Sequence, residues 1–430
     1  MQSNLQSPHH TLRIAMLSLH SSPVGTLGAQ NTGGMSIYVR EVSRWLGRNG
    51  HQIDIFTGVG SEPYEAELYP NVRLITLGQG RFTRIPKEEF VHHLPQLVNS
   101  VERYGQAHDR AYDLIHSHYW ISGAVGAVLQ AQWHCPHMVM FHTLGAAKNH
   151  HSPLENETTL RIGHEQRLVE TADFIVVPSQ GELENLRRHY QAARQKIGVV
   201  PCGVDLERFQ PQDWRAARQR LGLSAEAEVI LYVGRFAPLK AVDTLIAAVA
   251  ELRRNHPNLR LIIVGGDDTA DQSTLSLKTL AGRLGIQDQV HFAGRVKHEA
   301  LPDYYGAADL LALPSHYESF GLVVLEALAC GTPVAATAVG AAASLVREGL
   351  NGAVIAAAES QAVAQAIGRI LQIPRQHRPT AAQIRAAVES LSWQWVADAI
   401  QELYARLLTA RNPIKTVAAG QVRPPNNARE

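Results

Sequence analysis

The chain has 430 residues, with 40 lysines and arginines against 39 aspartates and glutamates, a formal net charge of +1 and 45% hydrophobic residues. That near-neutral balance gives no electrostatic basis for nucleic acid, and the absence of a basic run or of eighteen consecutive apolar residues argues against a membrane surface or span. About two domains are expected at this length, and the apolar content is ample for two cores.

Met1 to Thr11 is polar, so no secretory leader is expected, and Cys135, Cys202 and Cys330 are dispersed without metal-type spacing. The expectation is a cytoplasmic monomer or homodimer acting on small molecules. Most of the 21 histidines, such as His9, His10, His150 and His151, lie in polar stretches and are expected at the surface.

Short runs rich in Val, Ile and Leu alternate with longer helical patterns, as in buried parallel strands joined by crossover helices. The first strand, Arg13–Leu19, leads to a loop ending Asn31-Thr32-Gly33-Gly34 and a helix with Tyr38, Val42, Trp45 and Leu46 on its apolar side. Paired glycines there let backbone amides meet a phosphate at the positive end of the helix dipole, although a plain tight turn has the same sequence. Strands follow at Gln52–Thr57, Val72–Leu77, Asp113–His116, His137–Phe141, Asp173–Val177 and Ile197–Val200. Two of them end in polar residues mixed with aromatics: His116-Ser117-His118-Tyr119-Trp120, and Phe141-His142-Thr143 continuing to Lys148 and Asn149. Such groups at the carboxyl ends of adjacent strands line a crevice.

Pro201 to Leu223 is rich in turn residues and suits an interdomain connection. A second series of strands is expected at Val229–Val233, Leu259–Val264, Gln289–Phe292, Asp309–Leu313, Pro333–Thr337 and Ala353–Ile355. A late helix, Ser392–Leu408, carries Trp395, Ala399, Ile400 and Leu403 on one stripe and is expected to cross back to the first domain. Arg411 to Glu430 has the composition of a disordered tail. The fold class is α/β, two doubly wound domains, with expected boundaries 1–205 plus 392–410, and 206–391.

The second domain opens with a strand followed by Gly234-Arg235-Phe236-Ala237-Pro238-Leu239-Lys240. An arginine and a lysine just past a strand end can hold neighbouring phosphates, one as a planar fork and one as a point charge. Asp267-Asp268 has no spaced acidic partner, so a divalent-ion loop is not expected. His316-Tyr317-Glu318-Ser319-Phe320-Gly321 then leads towards Glu326. Two carboxylates eight residues apart around a glycine turn can face one pocket, or they can be solvated acids on a capped helix.

Together these motifs resemble the retaining glycosyltransferases of family 4, with the GT-B fold of two Rossmann-like domains facing across a cleft. The resemblance rests on Gly33-Gly34, on Gly-Arg-x-x-Pro-x-Lys at Gly234 to Lys240, and on Glu-x-Phe-Gly with a second glutamate at Glu318 to Gly321 and Glu326. It covers about residues 12 to 409. It implies that Arg235 and Lys240 bind a donor diphosphate, Glu326 the uridine ribose, and Glu318 the transferred sugar. Gly33, Gly34, Ser319, Phe320, Gly321 and Leu322 complete the donor site, and His142 lies near the transferred sugar. It also implies no tightly bound cofactor and no metal requirement, with a UDP-sugar as donor.

The branch is similar to sucrose-phosphate synthases and D-inositol-3-phosphate glycosyltransferases, whose acceptors carry phosphate. Lys87, Tyr119, Thr143 and Arg161 match a phosphate-binding set, and Ser36 and His118 join them on the acceptor side. Met35 matches the Met-Asn of the inositol branch, whereas Ser36 replaces its polyol-contacting asparagine, and the lost amide leans the acceptor towards fructose 6-phosphate. Gly340-Ala-Ala-Ala-Ser344 replaces the usual Gly-Gly-x-Pro-Glu loop. A transferase acting on D-inositol 3-phosphate with glucose or N-acetylglucosamine, a UDP-sugar 2-epimerase and a nucleotide-sugar-binding regulator without turnover are the alternative readings.

Overall fold

The computed structural model describes residues 11–24, 33–59, 65–78, 82, 85, 87–152, 156–266 and 272–411. The expected tail beyond Arg411 and the Asp267-Asp268 pair lie outside the described residues, as does the side chain of Lys87. The first sheet contains β1 (Arg13–Leu17), β2 (Gln52–Thr57), β3 (Glu65–Tyr69), β4 (Val72–Thr76), β5 (Leu114–His118), β6 (His137–Met140), β7 (Phe174–Val177) and β8 (Ile197–Val199). Their order is β3-β4-β2-β1-β5-β6-β7-β8. The second contains β9 (Glu228–Gly234), β10 (Leu259–Gly265), β11 (Val290–Gly294), β12 (Leu310–Leu313), β13 (Val334–Thr337) and β14 (Gly352–Ile355), in the order β11-β10-β9-β12-β13-β14.

All strand pairs are parallel except β3 with β4. The sequence reading missed β3. It is an edge strand of alternating, partly exposed residues, Glu-Ala-Glu-Leu-Tyr, joined to β4 through Asn71 at φ +65, and it lacks the apolar run that marks a buried strand.

In each sheet the strand order reverses beside a central strand, between β1 and β5 in the first and between β9 and β12 in the second. The crevice outside the carboxyl ends of those strands is where open α/β sheets bind ligands. Every candidate motif leaves one of these strands or a neighbour: Tyr119 after β5, His142 after β6, Arg235 after β9 and Glu318 after β12.

The chain passes from the first domain to the second near Val204 and returns beside the same point. Val204 N donates to Leu391 O at 2.9 Å, and Val204 bridges Ser392. The returning helix, Trp393–Arg411, packs on the helix Gly34–Arg48. Its buried side is Trp393, Val396, Ala397, Ile400, Tyr404 and Leu407, the three- and four-residue spacing of one helical stripe. This corrects the expected stripe, because Trp395 is 42% exposed. Tyr404 Oη lies 2.7 Å from Nδ1 of His116 in β5, and Asn49 reaches Asp398 and Gln401 at 2.8 and 3.0 Å. No described helix is long and apolar enough to cross a membrane.

Candidate active site

On the second-domain side, β9 ends at Gly234 and delivers an exposed Arg235, which makes no ion pair among the described residues. A short 3-10 turn, Pro238–Lys240, then points Lys240 at the β12 loop, where Nζ lies 2.7 Å from Glu318 Oε1. Ser315 Oγ donates to the same oxygen at 3.0 Å. The two loops are also tied through backbone, His316 N donating to Leu239 O at 2.8 Å. Glu318 lies in the loop before the helix Leu322–Ala329, and Gly321 makes the turn at φ +90, a conformation that costs a residue with a Cβ roughly 1–2 kcal/mol.

Glu326 lies inside that helix and is 5% exposed. His298 Nε2 is 2.7 Å from Oε1 and Tyr305 Oη is 2.7 Å from Oε2, so both oxygens are already oriented. Neither partner was singled out from sequence, since each comes from an element before β12 with no local spacing to Glu326. The Phe320 side chain is buried in the second-domain core, and its carbonyl accepts Ala341 N at 2.6 Å. The Gly340 loop therefore lies directly beneath the Glu318 turn. A Cβ at Gly340, φ +55, would stand 2.3 Å from Phe320 O and 2.9 Å from the Glu318 Cβ.

Across the cleft, the helix Gly34–Arg48 begins opposite this loop. A Cβ on Gly34 would lie 3.5 Å from Leu322 Cδ1, whereas one on Gly33 meets nothing within 4 Å. Ser36 differs from expectation. It is fully buried and its hydroxyl lies 2.7 Å from that of Ser21, in the loop after β1, so it is already engaged within its own domain.

Of the residues expected on the acceptor side, Tyr119 and Thr143 gather around Arg161, which is 2% exposed. Its guanidinium donates from Nε to Glu165 at 2.7 Å and from Nη2 to the Thr143 carbonyl and hydroxyl at 2.9 and 3.1 Å; it also lies 4.9 Å from the Tyr119 ring centroid. Nη1 is 2.8 Å from Glu157, which also pairs with Lys148. Burial disfavours the Arg161 charge, but the Tyr119 hydroxyl and the Glu165 and Glu157 carboxylates more than offset it and raise its pKa. Glu165 in turn accepts Gly145 N at 2.9 Å and the Tyr190 hydroxyl. Tyr119, Thr143 and Arg161 are thus brought together.

His142 follows β6 with its Nε2 3.0 Å from His118 Nδ1. Burial, with His20 nearby, lowers the His142 pKa to about 3, and burial with His116 and His142 lowers that of His118 well below its usual value. Both imidazoles are neutral at pH 7. His118 is fully buried, so it supports His142 from behind, a correction to its expected place on the acceptor wall. The buried His116, His118 and His137 likewise depart from the general expectation of surface histidines. Tyr119 at φ +76 and His142 at φ +61 occupy left-handed backbone. Such residues each carry about 1–3 kcal/mol of strain that the surrounding fold must hold, and they cluster at functional sites. Among the described residues no group of three or more His, Cys, Asp or Glu could hold a metal ion.

This arrangement places cations, a carboxylate and a glycine-begun helix around one interdomain cleft, and comparison with known proteins gives the same class. Residues 32–208 match the model of Glycosyltransferase Family 4, and residues 213–389 match that of Glycosyl transferases group 1. The chain belongs to the GT-B glycosyltransferases with a family 4 N-terminal domain, and it is a hexosyltransferase. D-inositol 3-phosphate glycosyltransferase 2 of Catenulispora acidiphila is 38% identical over 404 residues, 92% of this chain and 95% of that protein. The D-inositol 3-phosphate glycosyltransferase of Geodermatophilus obscurus is 39% identical over 402 residues, 91% and 89% of the two chains. Among solved structures, sucrose-phosphate synthase from Thermosynechococcus elongatus has 35% identity and a TM-score of 0.84, covering 93% of this chain and 100% of that one. HepE of Anabaena, solved in complex with UDP and glucose, has a TM-score of 0.72 at 23% identity over 92% and 100% of the two chains, a likeness of fold.

Proposed function

We propose that the protein transfers a hexosyl group, glucose in the first instance, from a UDP-sugar to a phosphorylated sugar or polyol with retention of anomeric configuration. The observation that carries this reading is the meeting of Lys240 and Glu318 beside Arg235, at the switch point of the second sheet and opposite Gly34. Arg235 and Lys240 would hold the diphosphate, and Glu318 would take the hydroxyls of the transferred sugar. Glu326, already oriented by His298 and Tyr305, would offer its remaining lone pairs to the ribose. Charge building on the departing diphosphate is stabilised by the two cations, and that phosphate takes the acceptor proton. His142, neutral, is suited to hydrogen bonding near the sugar and not to acid catalysis.

The phosphorylated acceptor is supported by Arg161 with Tyr119 and Thr143, together with Lys87 from the sequence match. The Ser36 hydroxyl, paired with Ser21, does not decide between acceptors. Fructose 6-phosphate and D-inositol 3-phosphate are therefore the two acceptors to test, in keeping with the sucrose-phosphate synthase and the inositol-phosphate enzymes it resembles. The experiment is UDP release from UDP-glucose and from UDP-N-acetylglucosamine against each acceptor, with the anomeric configuration of the product read by NMR. Dependence on both substrates supports the reading. Epimer formed from UDP-N-acetylglucosamine alone, or tight UDP binding with no turnover on either acceptor, would overturn it.

A further inference from the structure

Tyr317 immediately precedes Glu318, yet its side chain belongs to the opposite domain. It is 5% exposed and packs in the apolar cluster of the first sheet. Its ring stacks on His151 at 5.4 Å and 14°. Its hydroxyl donates to Glu182 Oε1 at 2.8 Å and accepts Leu144 N at 3.4 Å. On the other side of Glu318, the Ser319 carbonyl accepts the Ser179 hydroxyl at 3.0 Å. Ser179 caps the helix Gln180–Tyr190, and its oxygen accepts Glu182 N at 3.2 Å. The residues before and after Glu318 are thus both fastened to one helical turn across the cleft.

That fastening runs on into the acceptor side. Leu144 N meets Tyr317, Gly145 N meets Glu165, and Ala146 N meets the Tyr190 hydroxyl at 3.0 Å. Thr143 precedes these amides and is held by Arg161, which Glu165 pairs. One backbone turn therefore carries contacts to the donor loop and to the acceptor-side arginine. Leu239, from the loop that presents Lys240, packs in the same first-domain cluster.

We propose that Tyr317 is a positioning residue: its bond to Glu182, with Ser179 on Ser319, sets the Glu318 carboxylate for transfer when the two domains meet. The proposal rests on the reading of Glu318 as a contact to the transferred sugar. Packing alone needs only the ring, so the hydroxyl is the part to remove. The Tyr317 side chain bonds Glu182 and Leu144 and stacks on His151, not on Arg235, Lys240 or Glu326, which separates turnover from nucleotide affinity.

The test compares Tyr317→Phe, Glu182→Leu, which removes the acceptor oxygens, and the double variant with the unmodified protein. Turnover is read as UDP release from UDP-glucose with fructose 6-phosphate or D-inositol 3-phosphate, or as hydrolysis of UDP-glucose where neither accepts. Tyr317→Phe is expected to lower kcat about tenfold or more. UDP affinity by calorimetry should stay within about twofold, and Glu182→Leu should cause a similar loss that the double variant does not deepen. Unchanged kcat, an equal loss in UDP affinity, or single losses that multiply in the double variant would overturn the proposal. Glu318→Ala is measured alongside. Full turnover in that variant overturns the sugar-contact reading itself, whereas slow turnover there with normal turnover in Tyr317→Phe overturns the positioning role alone.

Discussion

Lys240 Nζ lies 2.7 Å from Glu318 Oε1, so the cation assigned to a diphosphate and the carboxylate assigned to a sugar neutralise one another. A donor that brings two phosphates and several hydroxyls must exchange this ion pair for its own contacts. Lys240→Ala is expected to lower kcat about 10²- to 10³-fold, as loss of one electrostatic contact to a developing charge commonly does. It should also weaken UDP binding, whereas Glu318→Ala should lower kcat while leaving UDP affinity near normal. Calorimetry with UDP and steady-state kinetics with UDP-glucose separate the two, and equal UDP affinities in both variants would contradict the assignment.

Arg161 is a stability residue as well as an acceptor candidate. Arg161→Ala leaves Glu165, fully buried, without its cation and should destabilise the fold by about 3–5 kcal/mol in urea titration. Thr143→Val is the cleaner acceptor probe, because it removes one hydroxyl and no charge. It should raise the acceptor KM more than the donor KM, and a shift confined to the donor would count against the acceptor assignment.

Gly340→Ala tests whether the loop beneath Glu318 positions it. The new methyl would meet Phe320 O and the Glu318 Cβ at distances that neither backbone can accept without moving. Expected outcomes are a loss of about 1–3 kcal/mol in stability from the forced shift and a fall in kcat larger than that in a surface Gly→Ala control such as Gly282→Ala. Unchanged kcat with lowered stability would show that the loop supports the fold only.

Acid should destabilise the protein through its buried imidazoles. His116 and His137 are fully buried and their pKa values are lowered to about 3, by burial in both cases, with His142 and His137 adding to the effect at His116. The unfolded chain protonates them below about pH 6.5 while the native state does not, so their stabilisation is present above that pH and is lost as pH falls towards 3. At pH 5 each contributes a loss of about 2 kcal/mol relative to pH 7. Thermal midpoints should therefore drop between pH 7 and 5, and a flat profile would exclude buried neutral histidines.

The strands and the donor motifs were legible because both are local. Val-, Ile- and Leu-rich runs locate buried parallel strands, and the turns after β9 and β12 carry their chemistry within a few residues. What escaped depends on long-range placement. Tyr317 reads as a loop aromatic until the domains meet, and His298 and Tyr305 reach Glu326 from 28 and 21 residues away. Ser36 lies in the expected helix, but its helical azimuth turns it inward. β3 failed for a different reason: an edge strand needs no continuous apolar run, so its glutamates hid it.

Val204 with Leu391 and Ser392 sets the geometry of the whole molecule. Two chain passages that meet at one point are the natural place for a hinge between the domains. The helix Trp393–Arg411, which follows the second sheet in sequence, packs on the helix Gly34–Arg48 of the first domain. The second sheet, β9 to β14, lies wholly before the helix Trp393–Arg411 in sequence, so the first domain receives that helix only after the second sheet has been synthesised. During translation the second sheet is therefore complete before Tyr404 can reach His116, and a truncation before Trp393 would leave the first domain without the helix that packs on Gly34–Arg48.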